Sequence, residues 1–252
     1  MNRVVALTSL TADILQRLDG SKLVGVPGSQ LLANNPDFRN KVKVTEGRAQ
    51  PNLERVLSLR PDLVIGAKGF HDQVAVRLQR SGISTELVDV DSWTALEQVT
   101  RDLASKVGAN PEPLLSQYRA LSLPKPSQSP SVIVIVSRQP ILSPNRNSWA
   151  GAMLERFHLR NLAADIQGKA PVEGYITLSP ERLLQLNPDT LIVVEFGENV
   201  LAQLQNQSFW RNLKAVQQNK VYQMDYYGLV NPGSIDSIVK ASQKLQEIVS
   251  GR

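Results

Sequence analysis

The sequence contains no cysteine, which excludes a disulfide framework, a thiolate nucleophile, an iron–sulfur ligand set and a thiolate zinc site. Histidine is almost as scarce. His71 and His158 are the two present; they lack the i, i+4 spacing of a helical metal pair, and no third is there to complete a histidine cage, so no resident zinc or manganese site is expected. Long hydrophobic runs are missing too. The longest, Val132 to Val136, falls far short of the roughly 20 apolar residues of a membrane helix, and the chain reads as soluble. Met1 is followed almost at once by the strand-like Val4-Val5-Ala6-Leu7, without a basic n-region or an apolar h-region. The expectation is a cytosolic protein or one whose leader has been removed. Phosphate-binding glycine loops, the G-x-S-x-G elbow and H-E-x-x-H are all absent, so nothing specific points to an enzyme.

What is present is ordinary globular composition: 42% hydrophobic and 20% charged residues, 15 Gly and 15 Pro. A length of 252 residues suits one large domain or two modest ones. The formal charge of +5 favours anionic partners. The basic residues are scattered, however, and the densest stretch, Arg39 to Arg48, has four in ten positions, so nucleic acid is not expected.

Short β-rich runs alternate with helical patterns: Val4 to Leu7, Leu23 to Val26, Leu63 to Ile65, Thr85 to Val90, then Val132 to Val136, Thr190 to Val194 and Lys220 to Met224. This alternation predicts βαβ units and mostly parallel sheets. Between the two groups lies a largely helical stretch, Ser92 to Leu123, followed by a Pro/Ser linker from Pro124 to Pro130. The boundaries expected are an N-terminal α/β lobe over 1–105, a helical connection and linker over 106–130, and a C-terminal α/β lobe over 131–252.

An internal repeat supports two similar lobes. Leu53-Glu-Arg-Val-Leu-Ser-Leu-Arg-Pro-Asp-Leu-Val-Ile65 aligns without gaps on Pro180-Glu-Arg-Leu-Leu-Gln-Leu-Asn-Pro-Asp-Thr-Leu-Ile192, with seven of thirteen positions identical; chance gives about one. Each copy offers an N-cap candidate (Asn52 or Ser179), a helix closed by proline (Pro61 or Pro188) and a buried strand. Two such lobes imply a ligand cleft between them. His71 follows the Leu63 to Ile65 strand, and His158 falls in Met153 to Leu159, an amphipathic helical pattern that suits a surface or packing histidine.

The segment Gly47-Arg-Ala-Gln-Pro-Asn-Leu-Glu-Arg-Val-Leu-Ser-Leu-Arg-Pro-Asp-Leu-Val-Ile-Gly66 resembles the signature of ABC-importer substrate-binding proteins of the helical-backbone class, which serve ferric siderophores, haem and cobalamin. The likeness runs from Thr8-Ser-Leu-Thr-Ala-Asp-Ile-Leu15 to a closing helix over Ser234 to Val249. Arg48 to Glu54, Val136-Ser-Arg138 and Ser148-Trp-Ala-Gly151 are most similar to the ferric dicitrate-binding branch, with ferric hydroxamate binders next. The resemblance implies a non-enzymatic protein that captures a ferric siderophore and delivers it to membrane permease subunits. It would work in the periplasm or cell envelope with its leader absent here, and would meet the membrane through the transporter or a removed lipid anchor. The alternatives are cobalamin, haem (disfavoured because no tyrosine lies between Val42 and Leu59) and a cytosolic α/β enzyme. No cofactor is implied beyond the ligand.

The same resemblance assigns residues. Arg48, and Arg138 in the second lobe, stand where a guanidinium would meet the anionic oxygens of the chelate, a task its rigid fork of donors suits; the alternative is a surface arginine in a loop. Phe70, Trp93, Trp149, Tyr175, Tyr226 and Tyr227 lie near expected strand ends or helix starts, where rings would cover the ligand's organic parts or pack the lobes. Tyr226-Tyr227-Gly228 is similar to the aromatic-Tyr-Gly stretch of hydroxamate binders. Glu54 and Glu181, matched in the repeat, would dock on arginines of the permease, one per lobe. A carboxylate second in its helix is also favoured by the macrodipole alone.

Overall fold

The β-branched runs form the central strands of two parallel sheets. The computed structural model describes residues 1–47, 49–124, 129–166, 172–197 and 199–251. The first sheet contains β1 (Val4–Ala6), β2 (Leu23–Val26), β3 (Val42–Lys43), β4 (Leu63–Ala67) and β5 (Thr85–Val88), ordered β3-β2-β1-β4-β5 with every pairing parallel. Its helices are α1 (Ser9–Asp19), α2 (Gln30–Ala33), α3 (Leu53–Ser58), α4 (Asp72–Arg80), α5 (Trp93–Val107) and α6 (Glu112–Ala120). The later part of the chain holds β6 (Ser131–Ile135), β7 (Ser137–Arg138), β8 (Ile141–Pro144), α7 (Trp149–Arg156), β9 (Arg160–Asn161), β10 (Tyr175–Leu178), α8 (Pro180–Leu186), β11 (Thr190–Glu195), α9 (Val200–Gln205), α10 (Lys214–Gln217), β12 (Val221–Asp225), α11 (Tyr226–Leu229) and α12 (Ile235–Ser250). Here β12-β11-β6-β9 are parallel, and β10-β8-β7 form a small antiparallel sheet that adjoins β6, the Val136 amide donating to the Leu142 carbonyl at 2.9 Å.

Two compact units result. One comprises Met1–Val90, Thr94–Ala120 and Gly233–Ile235; the other comprises Asp91–Trp93, Leu121–Pro232 and the chain from Asp236 onward. Within the expected 106–130 connection, the chain through Ala120 groups with the first unit and Leu121 onward with the second. Of the Pro124 to Pro130 linker, residues 125–128 lie outside the described residues. Each unit closes its own core. Val5, Val44, Val56, Val64 and Leu78 pack together in the first, and Ile133, Leu183, Leu191, Val193 and Leu213 in the second.

The repeat is one framework built twice. Asn52 accepts the Arg55 amide at 3.0 Å and Ser179 accepts the Arg182 amide at 3.1 Å, so α3 and α8 start on the same kind of side-chain cap. Both helices stop before their prolines, and Arg60 (φ 45°) and Asn187 (φ 41°) turn the chain through the left-handed region at matched positions. The aspartate after each proline then ties the strand that follows to its neighbour. Asp62 accepts the Asn2 and Arg3 amides at 2.6 and 3.0 Å; Asp189 accepts the Ser131 amide and hydroxyl at 3.0 and 2.6 Å. In each unit the central pair, β1 with β4 or β6 with β11, is therefore pinned at its amino end by a carboxylate.

One sequence expectation needs correction. His158 is not in a helix: α7 ends at Arg156, and His158 takes φ 57° so that the Leu159 amide can reach the Leu154 carbonyl at 2.9 Å and Leu159 can be buried. Tyr175, expected near a strand end or helix start, opens β10 just before α8 and pairs with Pro144. Smaller differences concern ends. The strand expected to reach Val90 stops at Val88, and the closing helix runs over Ile235–Ser250.

Candidate functional site

In a parallel sheet every strand delivers its carboxyl end to one edge, and the loops there are the usual ligand-presenting set. In the first unit that edge includes the loop after β3, which begins at Val44. Gly28, after β2, approaches it so closely that a Cβ there would lie 2.3 Å from the Thr45 carbonyl oxygen, and the Gly28 amide donates to Thr45 Oγ1 at 2.9 Å. The Gly47 amide donates back to the Gly28 carbonyl at 3.1 Å. Arg48, the leading ligand candidate, follows directly and lies outside the described residues.

Phe70 follows β4 and is 59% exposed, the largest exposure of a bulky apolar side chain among the described residues. Its ring meets His71 edge-on, with centroids 4.8 Å apart. His71 is buried, and its Nδ1 accepts the Ala67 amide at 2.9 Å, which makes it an acceptor and hence neutral. Burial pushes its imidazole below the ordinary value, against a smaller upward pull from Asp72. The buried histidine thus closes the turn that displays Phe70.

The second unit presents Arg138, Phe196, Tyr226 and Tyr227 after β6, β11 and β12. Arg138 is half-buried in β7; its Nε donates to Gln203 Oε1 at 2.8 Å and an Nη to Gln139 Oε1 at 3.0 Å. Phe196 stands 4.4 Å from the Tyr226 ring and 5.8 Å from Tyr227, and the two tyrosines meet at 5.3 Å. Phe196 was not anticipated from the sequence, yet a signal was there: carried five residues past Ile65 and Ile192, the repeat sets Gly69-Phe70 against Phe196-Gly197. Gly228 adopts φ 95°, and a Cβ on it would fall 2.0 Å from the Ser237 carbonyl oxygen. That explains a glycine after the two tyrosines. Burial, and secondarily Tyr226, raise the Tyr175 phenol well above its usual range, so it stays protonated and able to donate.

Trp93 and Trp149 are buried, not displayed. Their rings are 5.1 Å apart, Arg156 lies 4.1 Å over Trp93, and Trp149 Nε1 donates to the Gly228 carbonyl at 2.8 Å. Both act in packing beneath the Tyr227 loop. A cavity of about 510 Å³ in this unit is lined by Glu195, Met224, Asp225, Tyr227, Lys240 and Lys244, among others. Its charges are largely matched, since Lys240 pairs with Asp225 at 2.6 Å and Lys244 with Glu247 at 2.8 Å. Among the described residues, Tyr227 is the one expected ligand residue it includes.

Glu54 and Glu181 are exposed in the first turns of α3 and α8. The Glu181 carboxyl is held below the usual range by its own backbone amide and the Ser179 hydroxyl. Among the described residues no group of three His, Asp or Glu could hold a metal ion, and no helix is long and apolar enough to cross a membrane.

Two α/β units on one duplicated framework, with rings and a guanidinium at strand ends, suit the capture of a solute. The chain belongs to the periplasmic binding protein family, which matches residues 4–227. It is the substrate-binding component of an ABC importer and not an enzyme. An uncharacterized ABC transporter substrate-binding lipoprotein, YvrC of Bacillus subtilis, is 26% identical over 242 residues, covering 88% of this chain and 72% of that one. The Fe(3+) dicitrate-binding periplasmic protein FecB of Escherichia coli is 26% identical over 239 residues, covering 88% and 76%. Among solved structures, a possible iron-binding (periplasmic solute-binding) protein from Staphylococcus epidermidis superposes with a TM-score of 0.80 at 20% identity, covering 98% of each chain. That last likeness is one of fold.

Proposed function

We propose that the protein captures a ferric chelate of the citrate or hydroxamate type outside the cytoplasm and hands it to the permease of its importer. The observation that carries this reading is Arg138, held at the carboxyl end of the second sheet by Gln203 at 2.8 Å, on the unit that also shows the Phe196–Tyr226–Tyr227 cluster. A ferric chelate supplies its own iron ligands and offers anionic oxygens around an organic shell. A guanidinium answers the first and aromatic rings the second. The relationship to a ferric dicitrate binder supports the same choice. Arg48 is proposed as the first unit's guanidinium, Phe70 as its ring, and Glu54 and Glu181 as the contacts to the permease.

The test is calorimetric titration with ferric citrate, a ferric hydroxamate, haem and cobalamin. A ferric chelate should bind with a Kd at or below about 1 μM. Arg48→Ala and Arg138→Ala should each weaken binding roughly ten- to a hundredfold, the value of a charge-assisted contact. Binding of cobalamin or haem alone would overturn the assignment.

A further inference from the structure

We infer that Glu195 is a positioning residue for ligand capture, setting Phe196 and Arg138 without touching the ligand; this rests on the ferric-chelate reading for its binding arm only. Glu195 ends β11 and is partly buried. Its two carboxylate oxygens are both committed to the amino end of α9. Oε2 accepts the Val200 amide at 3.0 Å and Oε1 accepts the Leu201 amide at 2.9 Å, with Gln223 Nε2 adding a longer contact at 3.4 Å from the neighbouring strand β12. Asn199 separately caps the helix by accepting the Ala202 amide at 3.3 Å. The helix therefore has the usual Asx cap, and the glutamate is a second, bidentate tie reaching back from the strand that precedes it.

That tie fixes two ligand-facing groups at once. It joins the end of β11 to the start of α9, and Phe196 is the residue next to it, set against Tyr226 at 4.4 Å and Tyr227 at 5.8 Å. At the other end, α9 carries Gln203, whose Oε1 takes the Arg138 Nε–H at 2.8 Å. One carboxylate thus holds the strand end that carries the ring and the helix that aims the guanidinium. Gln replaces it poorly, because its Nε2 is a donor and would face one of the two amide N–H groups that now meet a carboxylate oxygen. Asp is one methylene shorter. The first unit has no counterpart, since the position of Glu195 is occupied there by Lys68 and the turn is closed by His71 instead.

The test compares wild type with Glu195→Gln and Glu195→Ala in two arms. In the ligand-free arm, NMR follows the Arg138 Nε–H resonance and the Val200 and Leu201 amides. Both variants should move Arg138 toward the signature of a solvated arginine and speed exchange at the two amides, while β6 amides remain protected. An unchanged Arg138 resonance in Glu195→Ala would overturn the inference, whatever the ligand proves to be. In the binding arm, ferric citrate is titrated against the same proteins and against Arg138→Ala backgrounds. Affinity should fall about tenfold in Glu195→Ala, near the value of one hydrogen bond. It should fall clearly less when Arg138 is already alanine, because part of the route from carboxylate to ligand has gone. A full, additive loss in both backgrounds would reduce Glu195 to a helix cap with no positioning role. Failure of wild type to bind any ferric chelate would sink the ligand assignment and leave the ligand-free arm to decide this one.

Discussion

Removing the Asp189 carboxylate should loosen the second unit and leave the first alone. Asp189 Oδ2 takes the Ser131 amide at 3.0 Å and the Ser131 hydroxyl at 2.6 Å, while Oδ1 takes Lys214 Nζ at 2.5 Å. Asp189→Ala strands the Ser131 amide, in a residue that is 4% exposed, and an unsatisfied buried donor costs about 1–3 kcal/mol. The Lys214 contact is half in water and adds about 0–1 kcal/mol. The Asp189 side chain is itself 31% exposed, so water recovers part of the loss, and about 2 kcal/mol is a fair net value, a change of roughly thirtyfold in opening. The assay is native-state amide exchange. Val132–Ile135 and Leu191–Val194 should exchange roughly thirtyfold faster, with β1 and β4 unaffected. The sign of the pH effect follows from the contacts. Lys214 and Ser131 hold the carboxyl well below its ordinary 3.8, so its contribution is full above that value and is lost as pH falls through the lower folded one. In urea at pH 3 the gap between wild type and variant should therefore begin to close. Equal acceleration in both units, or less than about threefold in β6 and β11, would refute the view that each aspartate pins its own sheet.

Trp149→Phe should leave the Gly228 carbonyl without its indole donor and lower stability by about 1–3 kcal/mol, read from urea midpoints; no loss would mean that water takes the donor's place. His71, whose folded value lies below the ordinary 6.5, contributes stability that is present above pH 6.5 and lost as pH falls through the folded value. His71→Gln should flatten that slope between pH 5 and 7, and an unaltered slope would move its origin elsewhere. Glu54→Ala with Glu181→Ala should leave ferric citrate affinity unchanged and depress uptake in proteoliposomes below either single variant; wild-type uptake would leave duplication and helix electrostatics as the full account of the pair.

The framework was legible in the sequence because its signals are local. Asn52 and Ser179 announce helix starts, the Pro-Asp pairs announce the turn into a strand, and seven identities in thirteen tie the copies together. The display side chains were less so. Trp93 and Trp149 open helices near strand ends, a place that says nothing about which way a ring points, and both point inward onto each other. Phe196 has no aromatic counterpart at its matched repeat position, because Phe70 is displaced from it by one residue. The link from Glu195 to Arg138 runs through residues 138, 195 and 203, and only the packing of α9 beside β7 brings them together.

Comparing the copies separates what duplication preserved from what it released. Cap, left-handed turn and aspartate pin recur at a constant offset because each satisfies backbone groups that any α/β unit of this design must satisfy. The segment just past β4 and β11 does not recur. In one unit a buried neutral imidazole closes the turn on the Ala67 amide, and in the other a carboxylate spans two amides of α9. Both devices fix a loop that carries an exposed phenylalanine, Phe70 or Phe196. On the ligand-capture reading proposed above, the shared requirement would be a rigid ring at the end of the central strand, where immobilising an aromatic in advance removes part of the ordering cost of binding. The anchoring chemistry was free to diverge because the loop's conformation, and not its sequence, is what a ligand would meet.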